Sequence, residues 1–87
     1  MKKIEIIPIA KKKANRRHIL EDWIKETINS PMQLVEGYGG RKVAQRKLLV
    51  ENKEYLLRVV YEESEEMSIV VTAYLTSQIE RYWREEK

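Results

Sequence analysis

The sequence contains no cysteine, which excludes disulfide scaffolds, cysteine nucleophiles and zinc–thiolate sites. Its one histidine, His18, does not by itself build a multi-histidine metal site. No run of about 18 apolar residues occurs, so no transmembrane helix is expected. The N-terminal apolar stretch is short and contains Glu5, which argues against a secretory signal peptide. We therefore expect a soluble, cytoplasmic protein with no membrane contact, no metal and no cofactor.

The length of 87 residues leaves room for one domain, which we place over the whole range 1–87. Hydrophobic residues make up 43% of the chain. That is enough for one small core, because a domain of this size buries only about 60–65% of its unfolded surface.

The net charge of +3 hides four blocks of alternating sign. Residues 1–20 and 41–60 are basic, with local charges of +6 and +4, whereas residues 21–40 and 61–87 are acidic, with −3 and −4. If the two basic blocks share one surface, that surface attracts a phosphate backbone. The alternative is an ordinary solvated surface, and the acidic blocks would equally suit a basic partner chain.

The first half of the chain combines one strand with a helical region. The β-branched stretch Lys3–Ile9 predicts a strand, and Pro8 indicates that it ends there or lies at a sheet edge. Apolar residues then recur at spacings of three and four, which predicts an amphipathic helix over Ala10–Asn29. A break near His18–Leu20, giving two short helices, is the alternative. Pro31 ends the helical region.

The second half predicts an antiparallel meander. Met32–Val35 is a short extended piece, and Gly37–Gly40 is the strongest turn signal. The predicted strands are Arg41–Val50, Tyr55–Tyr61 and Met67–Leu75, followed by a last helix over Gln78–Arg84. The loops between these strands are short, so neighbouring strands run antiparallel. The fold class is therefore α+β: a two-layer β-α-β-β-β-α domain with a curved antiparallel sheet covered on one face by a helix.

Strand alternation sorts the side chains into two faces. In the last strand, one set is entirely apolar and should lie under the helix, with Leu57 and Val59 of the preceding strand. This set is Met67, Ile69, Val71, Ala73 and Leu75. Arg58, Thr72 and Tyr74 then share the open face, where Arg46 is a further candidate. The phase of the strand containing Arg46 stays ambiguous, because both of its alternating sets are mixed.

A face with guanidinium, hydroxyl and phenol groups suits a phosphate. Arginine binds phosphate oxygens bidentately, and tyrosine stacks on a base or moves a proton. The alternative is that Thr, Tyr and Arg simply occupy the solvated face of a half-buried sheet.

Two segments resemble a known family. Arg17–Ile24 with the following Pro31 resembles a helix signature of the form R-x-I-x-x-x-x-I/V, then P. Val70–Trp83 resembles an ending of the form V-V-T-x-Y-x-T-S-x-I-x-x-Y-W. Together with Arg58-Val59-Val60, these segments resemble a family of small bacterial and archaeal domains of unknown function. That family is similar to the BrnT-like and RelE/ParE-like toxins of toxin–antitoxin systems.

The resemblance implies a type II toxin-like protein that binds RNA or the ribosome and acts as a metal-independent endoribonuclease. The catalytic roles would fall on Arg58, Tyr74 and Thr72. Its expected partners are RNA or the ribosome, an antitoxin and a second copy of the chain. The residues predicted to contact nucleic acid are Arg17, Arg41, Arg46 and Lys13. The family pattern has a histidine and an arginine where this chain has Ile9 and Lys13. The alternative function is a non-catalytic protein-interaction module on the same fold.

Overall fold

A computed structural model gives the structure of the protein and describes residues 3–84. The strands are β1 Lys3–Ile6, β2 Gln33–Glu36, β3 Lys42–Val50, β4 Lys53–Glu63 and β5 Met67–Thr76. The α-helices are α1 Pro8–Arg16, α2 Glu21–Asn29 and α3 Ile79–Tyr82, and a 3-10 turn spans Tyr38–Gly40. In the predicted glycine turn, Gly39 and Gly40 have φ angles of 70° and 80°, which glycine adopts without steric cost.

The first strand is shorter than predicted because α1 begins at Pro8. Proline suits the first helical turn, since its fixed φ is preorganised for a helix and its missing N–H has no helical acceptor there. β1 therefore ends at Ile6, Ile7 is the N-cap, and Pro8 and Ile9 of the predicted strand belong to α1.

The helical region is two helices, so the predicted alternative of a break near His18–Leu20 is confirmed. His18 has a φ of 58° and follows the end of α1. Its N–H donates to the carbonyl of Asn15 at 3.1 Å, and the N–H of Ile19 donates to the carbonyl of Ala14 at 2.8 Å. These two bonds form a Schellman motif, which ends a helix by satisfying its last carbonyls. Ile19 and Ala14 are both buried, which completes the motif with its apolar contact.

The five strands form one sheet in the order β1-β5-β4-β3-β2. The pairs β3–β4 and β4–β5 are antiparallel, as predicted. The short extended piece forms β2, a strand that the predicted β-α-β-β-β-α order did not include and that pairs with β3 in the antiparallel direction, whereas β1 pairs with β5 in parallel. The α+β class is therefore confirmed. Because β1 pairs with β5 only from Met67 to Val70, the outer edge of β5 lies beyond β1 from Val71 onward.

The main core lies between the sheet and the helices α1 and α2. Ile24 and Thr27 of α2 are fully buried, and Ile19 precedes them in the same cluster. The sheet contributes Ala44, Leu57, Val59, Tyr61, Val70 and Ala73. The prediction that Leu57 and Val59 lie under the helices is thus confirmed.

A β-bulge changes which residues of β5 lie under the helices. Val60 pairs with Thr72 and Tyr61 pairs with Val70, so Val71 is an extra residue that reverses the alternation. Val70 is fully buried in the core, whereas Ile69 and Val71 are half-buried outside it. The prediction that Ile69 and Val71 pack under the helix is therefore wrong, because a bulge breaks the period of two. Beyond the bulge, Ala73 lies in the core as predicted.

Candidate functional site

Arg58 lies in the middle of β4, on the sheet face opposite α1 and α2. Its neighbour on one side is Tyr74 of β5, directly opposite in the register. Its neighbour on the other side is Gln45 of β3. Because paired residues point to the same face, the three side chains converge. The structure thus brings together Arg58 and Tyr74, as the alternation predicted.

The Arg58 guanidinium has neutral hydrogen-bond partners. Its Nε donates to Oε1 of Gln45 at 2.6 Å, and its Nη1 donates to the Tyr74 hydroxyl. The Arg58 side chain is half-buried, yet within residues 3–84 no carboxylate forms an ion pair with it. A cation in this environment favours an anionic ligand, because its own partners do not neutralise it.

Gln45 of β3 orients the Arg58 side chain through a network of hydrogen bonds. Its side chain is fully buried, so both ends of its amide need partners. Its Oε1 accepts from Arg58, and its Nε2 donates to Oε1 of Gln33 at 2.8 Å and to the carbonyl of Tyr82 at 3.3 Å. The orientation of the amide is therefore determined, and Gln45 holds the guanidinium in one position.

The C-terminal segment, residues 79–84, covers the Arg58 site. The Tyr82 ring centroid lies 4.3 Å from the Arg58 guanidinium carbon. The same ring meets the Tyr74 ring edge-on, with centroids 6.4 Å apart. This arrangement combines a cation–π contact with a T-shaped aromatic pair.

Two further contacts hold the C-terminal segment. The Gln33 amide pairs with the backbone of Arg84: its Nε2 donates to the carbonyl at 2.6 Å, and its Oε1 accepts from the N–H at 2.8 Å. The Lys47 ammonium lies 4.4 Å from the centroid of the Trp83 ring. Leu56, beside Lys47 on the same face, is fully buried. The face predicted to be open is therefore covered in its central part.

Thr72 lies on the same face as Tyr74, two residues before it, and pairs with Val60. Its side chain is half-buried. It is near the site along β5, but the hydrogen bonds of Arg58 go to Gln45 and Tyr74.

Arg46 does not join Arg58. It follows Gln45 in β3, so alternation places it on the face that carries α2. There its Nη1 donates to the carbonyl of Ser30 at 2.8 Å, and its Nη2 lies 3.4 Å from Oε1 of Glu26. The candidate placement of Arg46 beside Arg58 was wrong, since the phase of β3 was ambiguous in the sequence.

The other predicted nucleic-acid contacts are spread over the molecule. Arg17 donates from Nη1 to the carbonyl of Ala73 at 2.9 Å, on the edge of β5 beyond β1. Arg41 pairs with Glu62 at 3.0 Å, and Lys13 is exposed on α1. These residues do not form one cluster with Arg58.

Carboxylates pair with half of the six bases in the second basic block, residues 41–60. Besides the pairs of Arg41 and Arg46, Lys42 hydrogen-bonds Glu63, and this bond raises the pKa of the Lys42 ammonium above its usual value. A surface built from both basic blocks therefore carries less free positive charge than their composition indicated.

The two departures from the family pattern lie away from the site. Ile9 and Lys13 are both exposed residues of α1, which packs on the opposite face of the sheet. His18, between α1 and α2, is exposed as well.

Gln45, Gln33 and Tyr82 had no predicted role in the site. The sequence held one signal for Gln45, because one of the two possible phases of β3 placed it opposite Arg58. Nothing in the sequence indicated that the C-terminal segment folds back over the sheet, because that contact joins residues far apart in the chain.

The described part of the chain contains neither a metal-ligand cluster nor a membrane-spanning helix. Residues 3–84 contain no group of three side chains that would hold a metal ion. Within the same range, no helix has the length and apolar character needed to cross a membrane.

Comparison with known proteins identifies the family. No curated protein and no solved structure matches the chain. The family model described as Domain of unknown function (DUF4258) matches residues 10–75. The matched range runs from α1 to the end of β5 and includes Arg58, Tyr74 and Gln45, whereas the C-terminal segment follows it. The predicted resemblance to an uncharacterised family is confirmed, and the protein belongs to the DUF4258 family.

Proposed function

We propose that the protein is a RelE/BrnT-like toxin-fold protein that binds RNA, or RNA on the ribosome, through Arg58 and Tyr74. The observation that supports this most is the half-buried Arg58 guanidinium, which has neutral hydrogen-bond partners and no carboxylate within the described range. A phosphodiester group supplies a negative charge that neither hydrogen-bond partner described for Arg58 carries. The adjacent Tyr74 ring suits a base of a single strand.

The proposed reaction is metal-independent cleavage of the RNA backbone. The 2′-hydroxyl attacks the adjacent phosphorus, its proton leaves to a base, and the bond from phosphorus to the 5′-oxygen breaks as that oxygen gains a proton. Arg58 stabilises the charge that develops on the phosphate oxygens. The Tyr74 hydroxyl, held by Arg58, orients the reacting groups or transfers a proton. Thr72 contributes a second hydroxyl on the same face.

The binding part is tested with a single-stranded RNA oligonucleotide at several salt concentrations. We expect a log–log slope of about −0.7 per neutralised phosphate and a large loss of affinity in Arg58→Ala. Arg46→Ala is the matched control, since it removes the same charge from the opposite face of the sheet. RNA binding that is undetectable at low salt, or equal losses in the two variants, would contradict the proposal.

The cleavage part is tested on free and ribosome-bound RNA with a chelator present. Tyr74→Phe retains the ring and removes only the hydroxyl. Loss of cleavage in Tyr74→Phe would identify a proton or hydrogen-bond role, whereas loss only in Tyr74→Ala would identify stacking. If the wild-type protein leaves RNA intact in both settings and its expression does not slow growth, the nuclease function is wrong.

The second candidate is a non-catalytic interaction module that binds an antitoxin-like protein or a second copy of the chain. The specific observation in its favour is that Arg41, Lys42 and Arg46 already pair with carboxylates, which leaves less charge for RNA. A protein that shows no salt-dependent RNA binding but forms a defined complex with a protein partner would support this function instead.

A further inference from the structure

The C-terminal segment occupies the Arg58 site as a ligand would. Tyr82 places a flat aromatic ring 4.3 Å from the guanidinium carbon of Arg58. A nucleobase stacked on arginine in an RNA complex makes the same kind of contact. The ring also meets Tyr74 edge-on, so it packs against both residues of the proposed site.

A small number of contacts hold the C-terminal segment against the sheet. α3 has only four residues, and so short a helix is not stable without tertiary contacts. Those contacts are the Tyr82 ring on Arg58, the Trp83 ring under Lys47, and hydrogen bonds from the side-chain amides of Gln45 and Gln33. Ser77 and Gln78, which connect α3 to β5, are exposed. The segment can therefore leave the sheet without disturbing the core on the other face.

The segment also lies outside the part of the chain that matches the family, which ends at residue 75. All the contacts of Arg58 with Gln45 and Tyr74 are made within the matched part. The hydrogen bonds that join Arg58 to Gln45 and Tyr74 therefore do not involve residues 79–84.

We propose that residues 79–84 are an intramolecular competitor of the RNA ligand, with the Tyr82 ring in the position that a nucleobase takes in the complex. This inference rests on the proposed function, and it assigns the site a closed state and a base-stacking subsite. RNA binds to the open form, so its apparent affinity is lowered by the fraction of molecules that are closed.

The test compares full-length variants for binding to the same single-stranded RNA oligonucleotide. Tyr82→Ala removes the competing ring, and the affinity should rise roughly 2- to 30-fold, which corresponds to the range of cation–π contacts. Tyr38→Ala is the matched control, because Tyr38 is a 95% exposed tyrosine in the β2–β3 turn and its loss should change nothing. The gain should vanish in Tyr82→Ala/Arg58→Ala.

Two additional measurements keep the test decisive. Gln33→Ala releases the Arg84 backbone. It removes one of the two acceptors of the Gln45 Nε2 but no side chain that contacts Arg58, and it should raise the affinity in the same direction. In the otherwise unchanged protein, bound RNA should shift the Trp83 fluorescence toward that of a solvated indole, and Trp83→Phe should lack this change. Circular dichroism confirms that each variant is folded.

The outcomes separate the two proposals. Arg58-dependent RNA binding that is unchanged or weaker in Tyr82→Ala and Gln33→Ala, with constant Trp83 emission, overturns the competitor and leaves RNA binding intact. No RNA binding in any variant, including Tyr82→Ala, overturns the proposed function and the competitor with it.

Discussion

Replacing Gln45 by methionine tests the central hydrogen-bond network of the site. Methionine has nearly the same length and volume as glutamine, so the packing cost of the change is small, below about 1.5 kcal/mol. What is lost is the acceptor for the Arg58 Nε at 2.6 Å and the donor to Gln33 and Tyr82. Since Gln45 is fully buried, water does not replace these bonds at its position.

The magnitude follows from the charge on Arg58. A hydrogen bond to a charged group contributes about 1.5–3 kcal/mol, and a neutral one about 0.5–1.5 kcal/mol. Gln33 and Tyr82 are half-buried, so solvent compensates part of the loss of the two hydrogen bonds that they accept from Gln45. We therefore expect Gln45→Met to lower the free energy of unfolding by about 2–4 kcal/mol.

The assay is equilibrium unfolding in guanidinium chloride. With a slope of about 2 kcal/mol/M, the midpoint should fall by about 1–2 M. Gln78→Met is the matched control: Gln78 is exposed, and surface substitutions usually stay within about 0.5 kcal/mol. In the double variant Gln45→Met/Arg58→Met, the cost should be less than the sum of the single variants, because both partners of the charged bond are then absent. A midpoint for Gln45→Met equal to that of the wild type would refute the reasoning.

Three further predictions concern the fold. Val70→Ala should cost roughly 1.5–3 kcal/mol because Val70 is fully buried, whereas Val71→Ala, at the bulge, should cost clearly less; equal costs in denaturant unfolding would contradict the observed phase of β5. Arg17→Ala should cost about 0.5–1.5 kcal/mol, because the bond of its guanidinium to the Ala73 carbonyl is made by an exposed residue and solvent compensates part of the charged bond. Arg16→Ala, at the exposed preceding arginine, should be neutral in the same assay. Burial raises the pKa of Tyr61 above its usual value of 10.0, so the folded state retains this proton more strongly than the unfolded chain. The free energy of unfolding should therefore fall as the pH rises above about 10. Tyr61→Phe should reduce that fall and leave only the part due to Lys42, whose raised pKa acts in the same direction.

Local sequence patterns correctly predicted most of the elements. The glycine turn, the three long strands and the helix end before Pro31 each depend on a few adjacent residues. The break between α1 and α2 remained an alternative in the sequence. Ending α1 requires a left-handed residue, and near His18 no residue adopts that conformation without a cost. The structure contains two helices, because the break allows Ile19 to enter the core and α2 to pack toward β3 and β4.

The pairing of Arg58 with Tyr74 was also predictable. Alternation assigns each residue to a face, and the short β4–β5 connection makes the two strands antiparallel neighbours. The same reasoning failed for Ile69 and Val71, because one extra residue at a bulge reverses the face of everything before it. It also remained undecided for Arg46, in a strand whose two alternating sets are both mixed.

The sequence by itself thus determined the α+β class, the three long strands of the meander and the shared face of Arg58 and Tyr74. These properties follow from the periods of strands and helices, which a single segment expresses alone. Only the tertiary structure decided the parallel pairing of β1 with β5, the burial of Gln45 and the cover of Arg58 by Tyr82. Each of these joins segments distant in the chain, and such contacts depend on which surfaces remain available once the whole sheet has formed, not on any local pattern.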